Sequence, residues 1–350
     1  MAATDLRRSW PACVAGLLLA GARAALAAAP AHPGVSFTHK DWSVDCDNTG
    51  TCRVSGYQRD EDTNAVSVLI TRAAGADAVV TAQAQFGTFR DDMEPPDGPV
   101  RLSIGGHAAG TVVDSKDMAP AQVAALLKAL AGTGDVVFSA GKTRWQLSGD
   151  GATAVLLKMD DVQGRIGTPG ALVKKGVKPE SAVPGPVKPP VIQAVRVPAS
   201  AKADLPLALR VLATIKSDDD CMLSEMLDPK RPKESEVDLW RLGEGRVLVT
   251  ALCWRAAYNE GSGFWVAKDK SPYDAQRVTA AGSGFAPEVG EIVSGQKGRG
   301  PGDCWSREAW VWDGRAFVHS EELTTGQCKL VAPGGAWQLP TLVSEVRKPR

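Results

Sequence analysis

The stretch Trp310-Val311-Trp312-Asp313-Gly314-Arg315-Ala316-Phe317-Val318 predicts a β-hairpin. Its first three residues alternate as strand residues do, and Asp313-Gly314 is the strongest short turn signal because glycine accepts a positive φ. Cys304 and Cys328 flank the hairpin, so a disulfide between them would clamp its two ends. The stretch therefore predicts a disulfide-closed β-rich domain with an aromatic core.

Length and charge limit what the rest of the chain can be. The chain has 350 residues, 40 Lys and Arg, 40 Asp and Glu, and no net charge. This length suffices for two domains. The neutral balance argues against a nucleic-acid partner, which selects for a basic face.

The N-terminus has the features of a signal peptide over residues 1–29. Arg7 and Arg8 supply positive charge, residues 14–19 and the alanines up to Ala29 supply an apolar region, and an A-x-A cleavage site follows. The apolar run is short and rich in small residues, which argues against a stable membrane span. We therefore expect a periplasmic or secreted protein.

Cysteine usage agrees with export. Six of the seven cysteines lie outside the leader, and an even number in an exported protein suggests disulfides. Six cysteines allow 15 pairings. Proximity in sequence and the division into domains favour the pairs Cys46–Cys52, Cys221–Cys253 and Cys304–Cys328.

We predict no metal and no cofactor. Zinc sites use Cys-x-x-Cys or histidine at ligand spacing, and neither occurs. The acids at 91–97 surround Pro95-Pro96 where a calcium loop of the EF type needs glycine, so they predict a solvated turn.

The first half predicts an α+β domain over residues 37–175, after a flexible start. Two helices are expected, at 120–131 and at 151–162, the second capped by Ser148 or Asp150. Their apolar faces would lie on an antiparallel sheet. The predicted strands are at 40–46, 52–57, 66–71, 78–86 and 100–104.

The composition changes after this domain. Residues 176–203 are rich in proline and predict an extended linker. Residues 204–346 then predict a disulfide-stapled β-rich domain with a short helix at 205–215, strands at 246–253, 263–267 and 289–293, and Trp337 closing the core. The fold class is α+β, with two β-rich domains that each consist of an antiparallel sheet and one or two packed helices.

Motifs spread over nearly all of the mature chain carry a family resemblance. They are residues 41–46 with Cys52, 159–168 with 171–173, Cys253 with 257–259, 298–304, 310–314 with Phe317, and Cys328. With these motifs the chain resembles an uncharacterised family of exported proteobacterial proteins, and residues 37–175 are similar to invasion-associated locus B proteins. The chain departs from the family pattern at Trp305, where a small residue is usual. The resemblance implies export, paired cysteines and two domains, and it implies no reaction.

Polar side chains set among glycines and aromatics are the candidate binding residues, namely Tyr258, Asn259, Glu260, Arg299, Asp303 and Trp312. Together with Trp254 and Trp265 they could line a groove for a carbohydrate, a peptide or a protein, although Arg299 and Asp303 could instead pair and shape a loop. No Gly-x-Ser-x-Gly elbow or phosphate-binding loop occurs, so no catalytic residue is predicted.

Three functions fit this sequence. The leading hypothesis is a non-enzymatic binding protein of the cell envelope, with an envelope protein or polymer as its partner. The alternative is a hydrolase of an envelope polymer that uses Glu260 and Asp303 as general acid and base. A third reading is a structural spacer, which rigid docking of the two domains would weaken.

Overall fold

A computed structural model describes residues 34–87, 96 and 98–349, and strands dominate it. The predicted signal peptide lies outside the described residues, as do the acids Asp91, Asp92, Glu94 and Asp97. Within the described residues, no helix combines the length and the apolar character needed to cross a membrane.

The first half begins with a five-stranded antiparallel sheet whose strands follow chain order. Its strands are β1 (Val35–His39), β2 (Trp42–Cys46), β3 (Cys52–Tyr57), β4 (Val66–Arg72) and β5 (Val80–Phe86). The disulfide Cys46–Cys52 closes the β2–β3 hairpin, as predicted. The prediction of a flexible start was wrong for β1, because its backbone pairs with β2 along its whole length.

A second antiparallel sheet and two helices complete the core of this half. The strands are β6 (Val100–Ile104), β7 (His107–Val112), β8 (Val136–Ala140) and β9 (Thr143–Leu147), in the order β7-β6-β8-β9. The helices α1 (Pro120–Leu130) and α2 (Ala152–Val162) lie where the apolar periodicity predicts them. One hydrophobic cluster includes residues from both sheets and both helices.

The start of α2 differs from the prediction. Gly151 precedes the helix with a φ of 101°, a left-handed conformation that favours glycine, and no side chain caps the helix. The hydroxyl of Ser148 instead accepts a hydrogen bond from the backbone N–H of Asp150 at 3.1 Å. The helix is therefore stabilised by packing rather than by a side-chain cap.

The motif at 159–173 forms a buried ionic network. The Arg72 guanidinium, 1% exposed, donates to Asp160 Oδ1 at 2.7 Å and to Gln163 Oε1 at 2.6 Å. Asp160 also accepts the backbone N–H groups of Leu172 and Val173. These bonds attach the segment after α2 to β4, which gives the motif a structural role.

The second half has three layers. The short helices α3 (Leu205–Leu212) and α4 (Leu223–Met226) pack on a four-stranded antiparallel sheet, and the disulfide Cys221–Cys253 joins the α4 end of this layer to the sheet. The other face of the sheet packs on a five-stranded antiparallel sheet through Leu248, Phe264 and Ile292. The four-stranded sheet contains β11 (Asp238–Gly243), β12 (Arg246–Arg255), β13 (Glu260–Lys268) and β14 (Gln276–Gly282), and the five-stranded sheet contains β15 (Gly284–Ala286), β16 (Glu291–Lys297), β17 (Trp305–Trp312), β18 (Phe317–Thr324) and β19 (Leu339–Leu342).

The predicted hairpin is the β17–β18 pair. Gly314 has a φ of 94°, and the Asp313 carboxylate accepts the backbone N–H groups of Arg315 and Ala316. Both strands are longer than the sequence pattern indicates, and the disulfide Cys304–Cys328 lies just beyond their far ends. The three disulfides thus match the pairs that the sequence favours.

The proline-rich segment is extended apart from a turn of 3-10 helix at Glu180–Ala182, and it is hydrogen-bonded to the rest of the chain. Its strand β10 (Val191–Gln193) pairs in parallel with the last strand, β20 (Glu345–Arg347). Val187 donates its backbone N–H to Thr49 in the first half, and Val195 donates to Trp312 in the second. The segment therefore contacts both halves along its length.

The chain between β18 and β19 is bonded to the first half. The Tyr57 hydroxyl accepts the Gln327 N–H at 3.2 Å, and the Trp337 indole donates to Ser67 Oγ at 2.7 Å. Lys329, 8% exposed, forms ion pairs with Asp41 and Asp60. Trp337 therefore closes a contact between the halves rather than the core of the second half, and these contacts weaken the hypothesis of a structural spacer.

Candidate functional site

Arg299 and Asp303 lie in the loop between β16 and β17. The Arg299 guanidinium donates to Asp303 Oδ1 at 2.8 Å and to Oδ2 at 2.5 Å, and Leu330 N–H donates to Oδ2 at 2.7 Å. The Asp303 carboxylate is fully buried, whereas the Arg299 side chain is 40% exposed. The pair shapes the loop, which is the alternative that the sequence left open.

The electrostatics of Asp303 follow from these bonds. Burial raises the pKa of Asp303, but the hydrogen bonds from Arg299 and Leu330 outweigh it and hold the pKa below its usual value. Bonding to Asp303 raises the pKa of Arg299 in turn. Asp303 is therefore an ionised structural group at neutral pH and has no proton to donate as a general acid.

The same loop contains one cysteine of the disulfide Cys304–Cys328, and the bonded sulfurs are not available as metal ligands. Asp303 lies close to the sulfurs of Cys304 and Cys328, a grouping that would suit a metal ion if the thiols were free. The two sulfurs are bonded to each other. A Cβ on Gly298 would come within 2.6 Å of the Cys304 sulfur, which explains the glycine at this position.

Tyr258 and Asn259 lie in the turn between β12 and β13, and Glu260 is the first residue of β13. The Asn259 side chain bonds both backbone groups of Lys297, accepting at 3.0 Å and donating at 2.9 Å. Tyr258 is 46% exposed, and Glu260 pairs with Arg255 at 2.9 Å on the surface. The structure therefore brings Asn259 to the end of β16, whereas Glu260 and Asp303 are each held by a different arginine.

Trp312 does not lie on a binding surface. It is 1% exposed, its ring lies 5.2 Å from the ring of Phe317, and the Arg246 guanidinium carbon lies 5.0 Å from its ring centroid. Its alternation in β17 turns it away from solvent, so the prediction of a ligand contact fails for this residue. Trp265 is also buried, in the core with the helices.

A groove that sequence reasoning missed lies on the face of the sheet opposite to Trp310. We call it the Trp305 groove, and it has a volume of about 570 Å³. This volume lies in the range of about 300–1,000 Å³ that is usual for small-molecule sites. The residues that line it include Val293, Gly295, Trp305, Arg307, Glu321 and Leu323.

Trp305 is held in place by hydrogen bonds from its indole and from its backbone. Its indole N–H donates to the carbonyl of Gly302 at 3.0 Å, and its backbone N–H donates to Thr325 Oγ1 at 2.7 Å. The ammonium of Lys297 lies 5.5 Å from the ring centroid. The half-buried ring is thus fixed before any ligand arrives, which lowers the entropic cost of binding.

An ion pair and an open position complete the groove. Arg307 Nε donates to Glu321 Oε1 at 2.5 Å, and both side chains reach solvent. Gly295 lies inside β16, and a Cβ built on it would contact nothing within 4 Å. Neither close packing nor a positive φ therefore explains why this residue is glycine. Because it has no side chain, the groove stays open at this position.

The comparisons with known proteins identify a family without an activity. A family model described as a protein of unknown function (DUF1176) matches residues 36–344, which span both halves and the proline-rich segment. The chain is 25% identical over 317 residues to the Uncharacterized protein YpfG of Escherichia coli (strain K12), and the alignment covers 83% of this chain and 86% of that protein. No solved structure matches the chain.

Proposed function

We propose that this chain, which belongs to the DUF1176 family of proteins of unknown function, is a non-enzymatic binding protein of the cell envelope. The Trp305 groove carries this proposal, because it combines a fixed aromatic ring, an ion pair and an open glycine position on a disulfide-stapled sheet. Such mixed apolar and polar lining is typical of ligand sites.

An exported location supports the same proposal. Three disulfides suggest an oxidising compartment outside the cytoplasm, because cytosolic thiols are kept reduced. The leader at 1–29 would direct the chain there, and we propose a periplasmic or secreted protein. The division at 37–175, 176–203 and 204–346 stays a proposal, as does the likeness of the first half to invasion-associated locus B proteins.

The hydrolase alternative has little geometric support. Asp303 is buried and has its carboxylate engaged by Arg299 and Leu330, while Glu260 lies exposed beside Arg255. Loss of turnover of an envelope polymer in a Glu260→Gln variant would restore this alternative.

Retention on envelope fractions tests the binding function. The mature, oxidised protein is incubated with purified peptidoglycan sacculi and, separately, with detergent-extracted envelope proteins and glycolipids. We expect one fraction to retain the wild-type protein. The Gly295→Leu variant, whose leucine fills the groove, should bind that fraction at least about tenfold more weakly. Gly149→Leu is the matched control, because a Cβ there also meets open space but lies in the first half.

The design also separates the groove from the loop. Arg299→Ala removes an arginine of the loop that the sequence predicts as a contact, without entering the groove. A loss of binding in Arg299→Ala but not in Gly295→Leu would place the site in the loop. If no fraction retains the wild type, or if Gly295→Leu and Gly149→Leu bind alike, the proposed binding site is wrong.

A further inference from the structure

The Trp305 groove contains an internally neutralised ion pair. Arg307 and Glu321 bond each other at 2.5 Å, with 46% and 37% of their side chains exposed. Both side chains are more than a third exposed, so breaking the pair costs little by itself, but a charged ligand is attracted by one partner and repelled by the other. A neutral ligand with adjacent donor and acceptor groups can bond both partners while the pair stays intact.

The backbone of the groove offers no partner to a peptide strand. β17 pairs with β16 and β18, β18 pairs with β17 and β19, and β16 pairs with β15 only up to Val293, beyond which the Gly295 N–H donates to the Ser283 hydroxyl at 3.0 Å. A peptide that lay on this face would leave its own N–H and C=O groups short of partners, since strand addition needs a free sheet edge. Recognition must therefore come from side chains.

The side chains suit a polyhydroxylated ligand. The indole of Trp305 offers an apolar surface on which the C–H groups of a sugar ring can pack, and it is already fixed by Gly302 and Lys297. Arg307 can donate to hydroxyl oxygens and Glu321 can accept from hydroxyl protons, so adjacent hydroxyls match the pair. A purely apolar ligand would leave both groups desolvated.

We propose that the Trp305 groove binds a neutral saccharide chain, with one ring against Trp305 and adjacent hydroxyls on Arg307 and Glu321. This inference rests on the proposed binding function and specifies the class of its ligand. Gly295 leaves the space that the chain would occupy in the middle of β16.

Calorimetric titration of the oxidised protein with defined oligosaccharides tests the ligand class. The probes are tetramers of N-acetylglucosamine and of β-1,4-linked glucose, with a sulfated oligosaccharide and a neutral tetrapeptide for comparison. We expect a neutral oligosaccharide to bind, Trp305→Ala to weaken its binding about tenfold, and Gly295→Leu to abolish it. Trp305→Phe keeps an aromatic ring and should retain most of the affinity, and Gly149→Leu should bind as the wild type does.

The outcomes separate the two proposals. If neither neutral tetramer binds while Gly295→Leu still loses retention on an envelope fraction, the groove stands as a site and the saccharide assignment is overturned. If the sulfated probe or the peptide binds in a manner sensitive to Gly295→Leu and the neutral tetramers do not, the assignment is overturned in the same way. If Gly295→Leu affects neither measurement, both proposals fail.

Discussion

Replacing Asp45 with asparagine should stabilise the protein at neutral pH. Asp45 lies on β2, is 2% exposed, and has no hydrogen-bond partner for its Oδ1 atom. Burial raises its pKa to about 6 from 3.8, although the Ser36 hydroxyl and the positive charge of Arg53 oppose the rise. The fold therefore holds an ionised carboxylate at neutral pH in surroundings that favour the protonated form.

The magnitude follows from linkage between protonation and folding. A rise of about two pKa units, at about 1.4 kcal/mol each, corresponds to about 3 kcal/mol of unfavourable free energy when Asp45 is charged. A raised folded-state pKa contributes stability that is fully present below the unfolded pKa and is lost as the pH rises through the folded pKa. The penalty thus grows as the pH rises from about 4, is complete at about pH 7, and is nearly absent below about pH 4.

Urea denaturation with intact disulfides measures the effect. We expect Asp45→Asn to raise the free energy of unfolding by up to about 3 kcal/mol at about pH 7.5, and the gain to shrink towards zero near pH 4. Asp47→Asn is the control, because Asp47 is bonded to Arg53 and to Thr49, and losing its charge should destabilise. The reasoning is refuted if Asp45→Asn destabilises at neutral pH, or if its effect is the same at both pH values.

Three other substitutions test individual contacts, each by the same denaturation measurement. Asp303→Asn should lower the free energy of unfolding by about 2 kcal/mol at neutral pH because it weakens the bonds to Arg299. The difference from the wild type should diminish at low pH, where the wild-type carboxylate, whose pKa is depressed, becomes protonated, and an unchanged midpoint would contradict this. Trp337→Phe should cost about 1–2 kcal/mol by leaving the buried Ser67 hydroxyl without its donor, and equal stability would mean that a water replaces the indole. Gly326→Ala should cost more than about 1 kcal/mol, since this residue has a φ of 92° and the buried tyrosine hydroxyl of β3 leaves no room for a Cβ; a smaller loss would show that the turn adapts.

Two elements with a strong local signal were predicted well, whereas β8, β9 and β11 were missed although they contain apolar residues. The apolar spacing in α1 identified that helix, and the Asp313-Gly314 turn identified the β17–β18 hairpin. The strands β7 and β14 were missed because the stretches His107–Val112 and Gln276–Gly282 are polar or rich in small residues, and only their pairing with β6 and β13 makes them strands.

The candidate site shows the same limit. Trp305 and Trp312 both lie on β17, yet the sequence favoured Trp312, which is buried, and overlooked Trp305, which lines a groove. Alternation places the two residues on opposite faces, and a period-two pattern extended back from Trp310 would have put Trp305 and Arg307 on the other face. Which face becomes core depends on the packing of Leu248 and Phe264 from another sheet.

Composition and spacing along the chain predicted the export signature, the cysteine pairs and the hairpins β2–β3 and β17–β18, because each depends on residues close in sequence. The packing of the two sheets, the docking of Trp337 on Ser67 and the assembly of the Trp305 groove depend on residues far apart in the chain. Contacts of this kind form when separate surfaces exclude water together, and no local pattern encodes which surfaces meet.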